Sequence, residues 1–218
     1  MLFDLDGTLT DSGIGVGNGV QYALRQMGFE EAAPELLRRY LGPPLWTSFK
    51  DFAGMDTEQT AEAVKLYREY YNETGAYENA VFDGIPELLV QLKDAGARLA
   101  VATSKVDHSA HAIANHFDLA KYFDVIAGSD EDGSQRGTKA LVIAHALAQL
   151  EASVGEFTAA DVVMIGDREH DVFGAAGHGI AAIGVTWGYA EPGELEAAGA
   201  IKIVETVADL GRALMAAH

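Results

Sequence analysis

The 218-residue chain has no cysteine. That excludes disulfides and thiol nucleophiles, and it fits a protein kept in a reducing cytoplasm. Long apolar runs are missing too: no stretch approaches the roughly 18 residues that a membrane helix needs. No basic segment followed by an apolar one stands at the amino terminus, so a signal peptide is not expected. Cations are scarce, with 15 Lys and Arg against 33 Asp and Glu, a net charge of −18. Such a chain repels nucleic-acid backbones, which argues against duplex binding. A small anionic ligand would be repelled at long range as well. A site for one therefore needs local cations, a metal ion and a few placed Lys or Arg.

What is present fits an ordinary globule, 49% hydrophobic and 22% charged, large enough for one domain or a domain with an insertion. From Asp83 onward, helix and strand signals alternate. Asp83-Gly84-Ile85-Pro86 opens a helix that Gly96 ends, and Leu99 to Ala102 is a short buried strand. Helices are expected at Asp107–Phe117, Thr138–Leu150, Asp171–Gly177 and Val207–Met215. Strands are expected at Phe123–Ala127, Val162–Ile165, Ile180–Val185 and Ile201–Val204. This alternation predicts an α/β fold with a parallel sheet. Residues 13–81 read differently, as about four helices punctuated by Gly28, Gly42, Gly54 and Gly75. Gly13, Gly15, Gly17 and Gly19 lack dinucleotide-loop spacing and are read as the first of these helices.

Chemistry concentrates at Asp4-Leu5-Asp6-Gly7-Thr8-Leu9-Thr10-Asp11-Ser12. If Leu2-Phe3 ends a strand, Asp4 and Asp6 lie at its carboxyl end, where open α/β sheets place ligands. One carboxylate can attack phosphorus, and a second can act as general acid and then base. Only three residues precede Asp4, whereas a buried strand usually has about five, so further upstream residues are expected. At a second strand end, the Thr103 hydroxyl and the N–H groups after it can bind phosphate oxygen, with Ser104 beside it. Lys105 is adjacent and could face either solvent or substrate. Lys139 opens a helix, against the macrodipole, and lacks a local stability reason for being there. Val163 to Asp171 runs from a strand into Gly166-Asp167 and then a helix, so Asp167 can complete a hard-cation site with Asp4.

The Asp4–Ser12 run resembles motif I of the haloacid dehalogenase superfamily, phosphatase branch. Thr103, Lys139 and the Asp167–Asp171 pair resemble motifs II, III and IV, in order, and residues 13–81 fall where that family inserts a helical cap. The resemblance implies a Rossmann-like core of residues 1–12 and 82–218 with a cap domain of residues 13–81. It implies Asp4 as nucleophile, Asp6 as acid/base and Lys139 as the cation joining nucleophile and phosphoryl group. Mg²⁺ would be held by Asp4, the Asp6 carbonyl and Asp167, with Asp171 supporting a metal-bound water or Lys139. Leu41–Lys50 resembles the cap segment of phosphoglycolate phosphatase-like members, which makes Lys50, with Ser48 and Trp46, candidates for touching the leaving group. The implied activity is hydrolysis of a small phosphorylated metabolite by a monomer or homodimer. A β-phosphoglucomutase-type mutase, a pyrophosphatase and a 5'-nucleotidase share the same core. Asp6 argues against a haloacid dehalogenase, which needs no second Asp. His108, His111 and His170 are expected to be surface or packing residues, and Trp187-Gly188-Tyr189 to line the site or pack under the last helix.

Overall fold

The computed structural model describes residues 1–131 and 133–216. In chain order its main elements are β1 (Leu2–Phe3), β2 (Thr10–Asp11), α1 (Gly13–Gln26), α2 (Pro34–Arg38), α3 (Leu45–Ala53), α4 (Thr57–Glu73), β3 (Ala80–Val81), α5 (Ile85–Asp94), β4 (Ala100–Val106), α6 (Asp107–His116), β5 (Val125–Ser129), α7 (Lys139–Val154), β6 (Val163–Gly166), α8 (Glu169–Ala176), β7 (Ala181–Val185), α9 (Glu194–Ala198), β8 (Lys202–Val204) and α10 (Val207–Met215). They fall into two compact units, Asp11–Ala80 and the remainder. The chain passes between the units through β2 and β3, which pair as a two-stranded sheet.

The larger unit is built on a six-stranded sheet of order β5-β4-β1-β6-β7-β8, parallel throughout. Strands buried on both faces need continuous apolar runs, which Leu2-Phe3, Leu99–Ala102 and Met164-Ile165 supply, each wholly or almost wholly buried. Leu2 lies opposite Ala100 and Met164, and Phe3 opposite Val101 and Ile165. This register brings Asp4, Thr103 and Asp167 to the carboxyl edge of three neighbouring strands. Chain order reverses between β1 and β6, so Asp4 and Asp167 flank the crevice where open α/β sheets bind ligands. Val142, Ile143, Ala146 and Leu150 of α7 pack with Leu2, Ala100, Ala102 and Met164 in one core cluster.

Most expected elements are present with shifted ends. α7 runs to Val154, past Leu150, and α8 starts at Glu169 rather than Asp171. β4 continues to Val106 instead of ending at Ala102, because its pairing with β5 changes register between Ala102 and Val106. That irregularity holds Thr103-Ser104-Lys105. β2, β3 and α9 had no counterpart among the expected elements.

The smaller unit is helical. Asp56 caps α4 in a reciprocal box with Gln59. The glycines of α1 lie within a helix, and Gly15 is a point of close approach: an added Cβ would come within 1.9 Å of the Gly75 carbonyl. Tyr67 and Tyr71 stack at 5.3 Å, and Tyr40 packs edge-on against both Phe49 and Phe52. No helix among the described residues is long and apolar enough to cross a membrane.

Candidate active site

Asp4, at the end of β1, is mostly buried, and its N–H still donates to the Ile165 carbonyl at 2.9 Å. The chain then turns back on itself. Thr8, Leu9 and Thr10 all donate to the Leu5 carbonyl, and Gly7 donates to that of Thr10. Gly7 takes a left-handed φ of +81°, and a side chain there would run into the Asp167 carboxylate 2.1 Å away. Among the described residues, the group able to hold a metal ion is Asp4, Asp167 and Asp171, with one carboxylate oxygen of each within 4.8 Å of the others.

Lys139, the first residue of α7, is buried among these acids. Its Nζ lies 2.9 Å from Asp4 Oδ1 and 2.7 Å from Asp171 Oδ1, and it donates to the Ala102 carbonyl at 3.1 Å. Thr138 caps the helix, accepting from the Leu141 N–H, so the Lys139 side chain is left to the carboxylates. Burial pulls the ammonium toward losing its proton, but Asp171 and Asp4 together outweigh it and raise its pKa. Asp171 sits on the third residue of α8 and accepts from the Arg168 N–H at 3.1 Å, so both its oxygens have protein partners. Burial, and then repulsion from Asp4, lift its pKa to about 6 against the pull of Lys139. Burial, followed by the charges of Asp171 and Asp4, drives Asp167 well above the ordinary carboxylate range. Three buried acids face one buried ammonium, and the surplus negative charge is what a hard divalent cation would offset. The oxygen-only donor set fits Mg²⁺.

Asp6 stands apart from the three converging carboxylates. Its Oδ2 pairs with Lys105 Nζ at 2.8 Å, and its buried Oδ1 has no hydrogen-bond partner. The β4 irregularity turns Lys105 to this position, as such bulges do. Thr103 is buried, and its hydroxyl accepts from the Lys105 N–H at 3.2 Å. Ser104 is exposed, and its carbonyl accepts from the Ser129 hydroxyl. Lys50 and Trp46 are exposed on α3, while Ser48 is wholly buried. The Ser48 hydroxyl has no hydrogen-bond partner. His108 faces Glu131, His111 lies near Asp107 and His170 is exposed. Arg136 contacts His145 at 2.7 Å.

The sequence named Trp187-Gly188-Tyr189 as a segment that lines the site or packs under the last helix, without its contacts, and left Glu194 unseen. The Tyr189 N–H donates to Asp167 Oδ2 at 2.8 Å, and the Trp187 indole donates to the Thr8 carbonyl at 3.1 Å. Glu194, at the start of α9, accepts from the Arg168 side chain and from the N–H groups of Glu169 and Glu191. The Tyr189 backbone donor carries no side-chain signature, and one Glu among many on an acidic chain carries none either.

A parallel α/β crevice lined by three acids and one buried lysine defines a hydrolase core of the phosphoryl-transfer kind. The haloacid dehalogenase-like hydrolase family pattern matches residues 1–185, and the chain belongs to that family. It is 46% identical over 197 residues to a Pseudomonas aeruginosa protein named 5'-nucleotidase, covering 90% of this chain and 86% of that one. It is 45% identical over 189 residues to the Mycobacterium tuberculosis tyrosine-protein kinase PtkA, covering 87% of this chain. The chain spans 62% of that mycobacterial protein's length. A crystal structure of a predicted phosphatase from Clostridium acetobutylicum matches with a TM-score of 0.91 at 43% identity, covering 99% of this chain and 97% of that one.

Proposed function

We propose that this protein is a Mg²⁺-dependent phosphatase of small phosphorylated metabolites, working through an aspartyl-phosphate on Asp4. The observation that carries this reading is Lys139 held between Asp4 and Asp171 at 2.9 and 2.7 Å. A lysine buried at that position supports both the attacking carboxylate and a phosphoryl group beside it. Asp4, Asp167 and the Asp6 carbonyl would hold Mg²⁺, which when bound supplies positive charge against the phosphoryl oxygens.

Asp4 attacks phosphorus in line, and its Lys139 contact fixes the oxygen that stays behind. Asp6 gives a proton to the leaving oxygen, then takes one from the water that hydrolyses the aspartyl-phosphate. Lys105 holds the Asp6 carboxylate in one orientation for both transfers. Asp171 acts through Lys139. Thr103 and Ser104 are assigned to the phosphate oxygens. The helical unit, with Lys50, is assigned to selecting the leaving group. On the same reading the protein works in the cytoplasm, as a monomer or homodimer, without nucleic acid or membrane.

Phosphoglycolate is the metabolite that the cap resemblance implies. Nucleoside monophosphates are a second class, favoured by the 46% identity to the Pseudomonas protein. The test is phosphate release from phosphoglycolate, nucleoside monophosphates, pyrophosphate and glucose 1-phosphate, with Mg²⁺ and with chelator, wild type beside Asp4→Asn. Metal-dependent release that Asp4→Asn abolishes is expected. Release that persists in Asp4→Asn near the wild-type rate contradicts the assignment of Asp4. Isomerisation of the sugar phosphate without release would favour a mutase.

A further inference from the structure

Trp187, Gly188 and Tyr189 follow β7 and have no part in the chemistry above, yet they contact both Asp167 and the Gly7–Thr8 stretch of the turn that leaves the site. The Tyr189 N–H donates to Asp167 Oδ2 at 2.8 Å. Gly188 lies so close that a Cβ on it would come within 2.4 Å of both that oxygen and the Gly7 carbonyl. The Trp187 indole donates to the Thr8 carbonyl at 3.1 Å. Its ring meets Phe82 edge-on, with centroids 6.4 Å apart. Thr8 precedes β2, the outgoing crossover, and Phe82 follows β3, the returning one. The two are tied again by the Phe82 N–H donating to the Leu9 carbonyl at 3.1 Å. One three-residue segment thus fastens a buried carboxylate to the roots of both crossovers.

We propose that Trp187–Tyr189 is a positioning clasp, which fixes the Asp167 carboxylate and couples its occupancy to the two crossover segments. Asp167 is held from three directions: by the Tyr189 N–H, by the glycine surface of residues 7 and 188, and by the Thr8 hydroxyl at 3.4 Å. Asp167 would hold Mg²⁺, and any shift of its carboxylate on filling that role would be felt at the Tyr189 N–H that donates to it. Trp187, two residues away, would carry such a shift to the Thr8 carbonyl and the Phe82 ring it contacts. The clasp acts through Asp167 and touches no reacting atom. This inference rests on the reading of Asp167 as a metal ligand.

The protein has two tryptophans, so Trp46→Phe leaves Trp187 as the single fluorescent reporter. Mg²⁺ is titrated into this protein by calorimetry and by emission, and the two half-saturation points are expected to coincide. Trp187→Phe keeps a ring against Phe82 but removes the indole donor, and should weaken Mg²⁺ binding roughly tenfold, as loss of supporting hydrogen bonds around a metal does. Gly188→Ala should weaken it at least as much; if that variant does not fold, the other two arms decide. Emission that stays flat through calorimetric saturation, or wild-type Mg²⁺ affinity in Trp187→Phe, overturns the clasp. Absence of any Mg²⁺ binding in the wild type overturns the metal reading itself and the clasp with it. A merely structural tryptophan would lower the melting temperature and leave both metal readouts unmoved.

Discussion

Lys139 carries a heavy electrostatic duty in the core, since its one ammonium is paired with two buried acids, Asp4 and Asp171. Removing one partner from a buried ion pair leaves an uncompensated charge and costs about 3–5 kcal/mol. Lys139→Met should therefore lower the stability of the metal-free protein by that order, read as a reduced urea midpoint at neutral pH, as well as abolishing turnover. An unchanged midpoint would mean that the acids already hold protons at that pH. Lys105→Met acts differently, because the Lys105–Asp6 pair lies at the edge of the site rather than in its core. Its kcat should fall by about tenfold to a hundredfold, a part of what general acid–base catalysis contributes, with KM little changed and Lys105→Arg recovering most of the loss. A rise in KM alone would assign Lys105 to substrate instead. Asp4, Thr103 and Asp167 were legible in the sequence because each follows an apolar run, Leu2-Phe3, Leu99–Ala102 and Met164-Ile165, although β4 runs on past Thr103 to Val106. The Lys105–Asp6 pair was not legible, because it depends on a register change that leaves no mark in composition.

At the scale of elements, long periodic segments could be read and two-residue ones could not. β2 and β3 have two residues each, too few for any alternation to register. α8 begins before Asp171 because the Asp171 carboxylate accepts from the Arg168 N–H three residues back, as an acid on the third residue of a helix can. The four glycines near residue 13 were legible as a helix by exclusion. The reason for Gly15 lies sixty residues along the chain, in the Gly75 carbonyl that a Cβ there would meet. Gly15→Ala should consequently destabilise the helical unit, while Asp56→Ala, which loses the α4 cap, should cost about 1 kcal/mol. Limited proteolysis checks both: faster cleavage within residues 11–80 is expected, and unaltered cleavage would contradict the packing and capping described.

For the molecule as a whole, the surplus of acid is both a solubility device and a liability at the site. Folded, Asp171 holds its proton up to about pH 6 against an ordinary 3.8, and Asp167 holds its own well above the ordinary range. The folded state then binds more protons than the unfolded chain, so in chelator stability should fall as pH rises through 6. Mg²⁺ competes with those protons, and its stabilising effect on the melting temperature should be larger at about pH 8 than at about pH 5, by mass action. An equal shift at both pH values would remove these acids from the metal site. The central claim is that Asp4 attacks phosphorus, and the most direct measurement catches it doing so. The enzyme is mixed with p-nitrophenyl phosphate and Mg²⁺, quenched in acid within one turnover, and reduced with borohydride, which converts an aspartyl-phosphate to homoserine. Homoserine is expected at position 4 and at no other Asp. Turnover with Asp4 recovered unmodified, or with the label on a different residue, would contradict it.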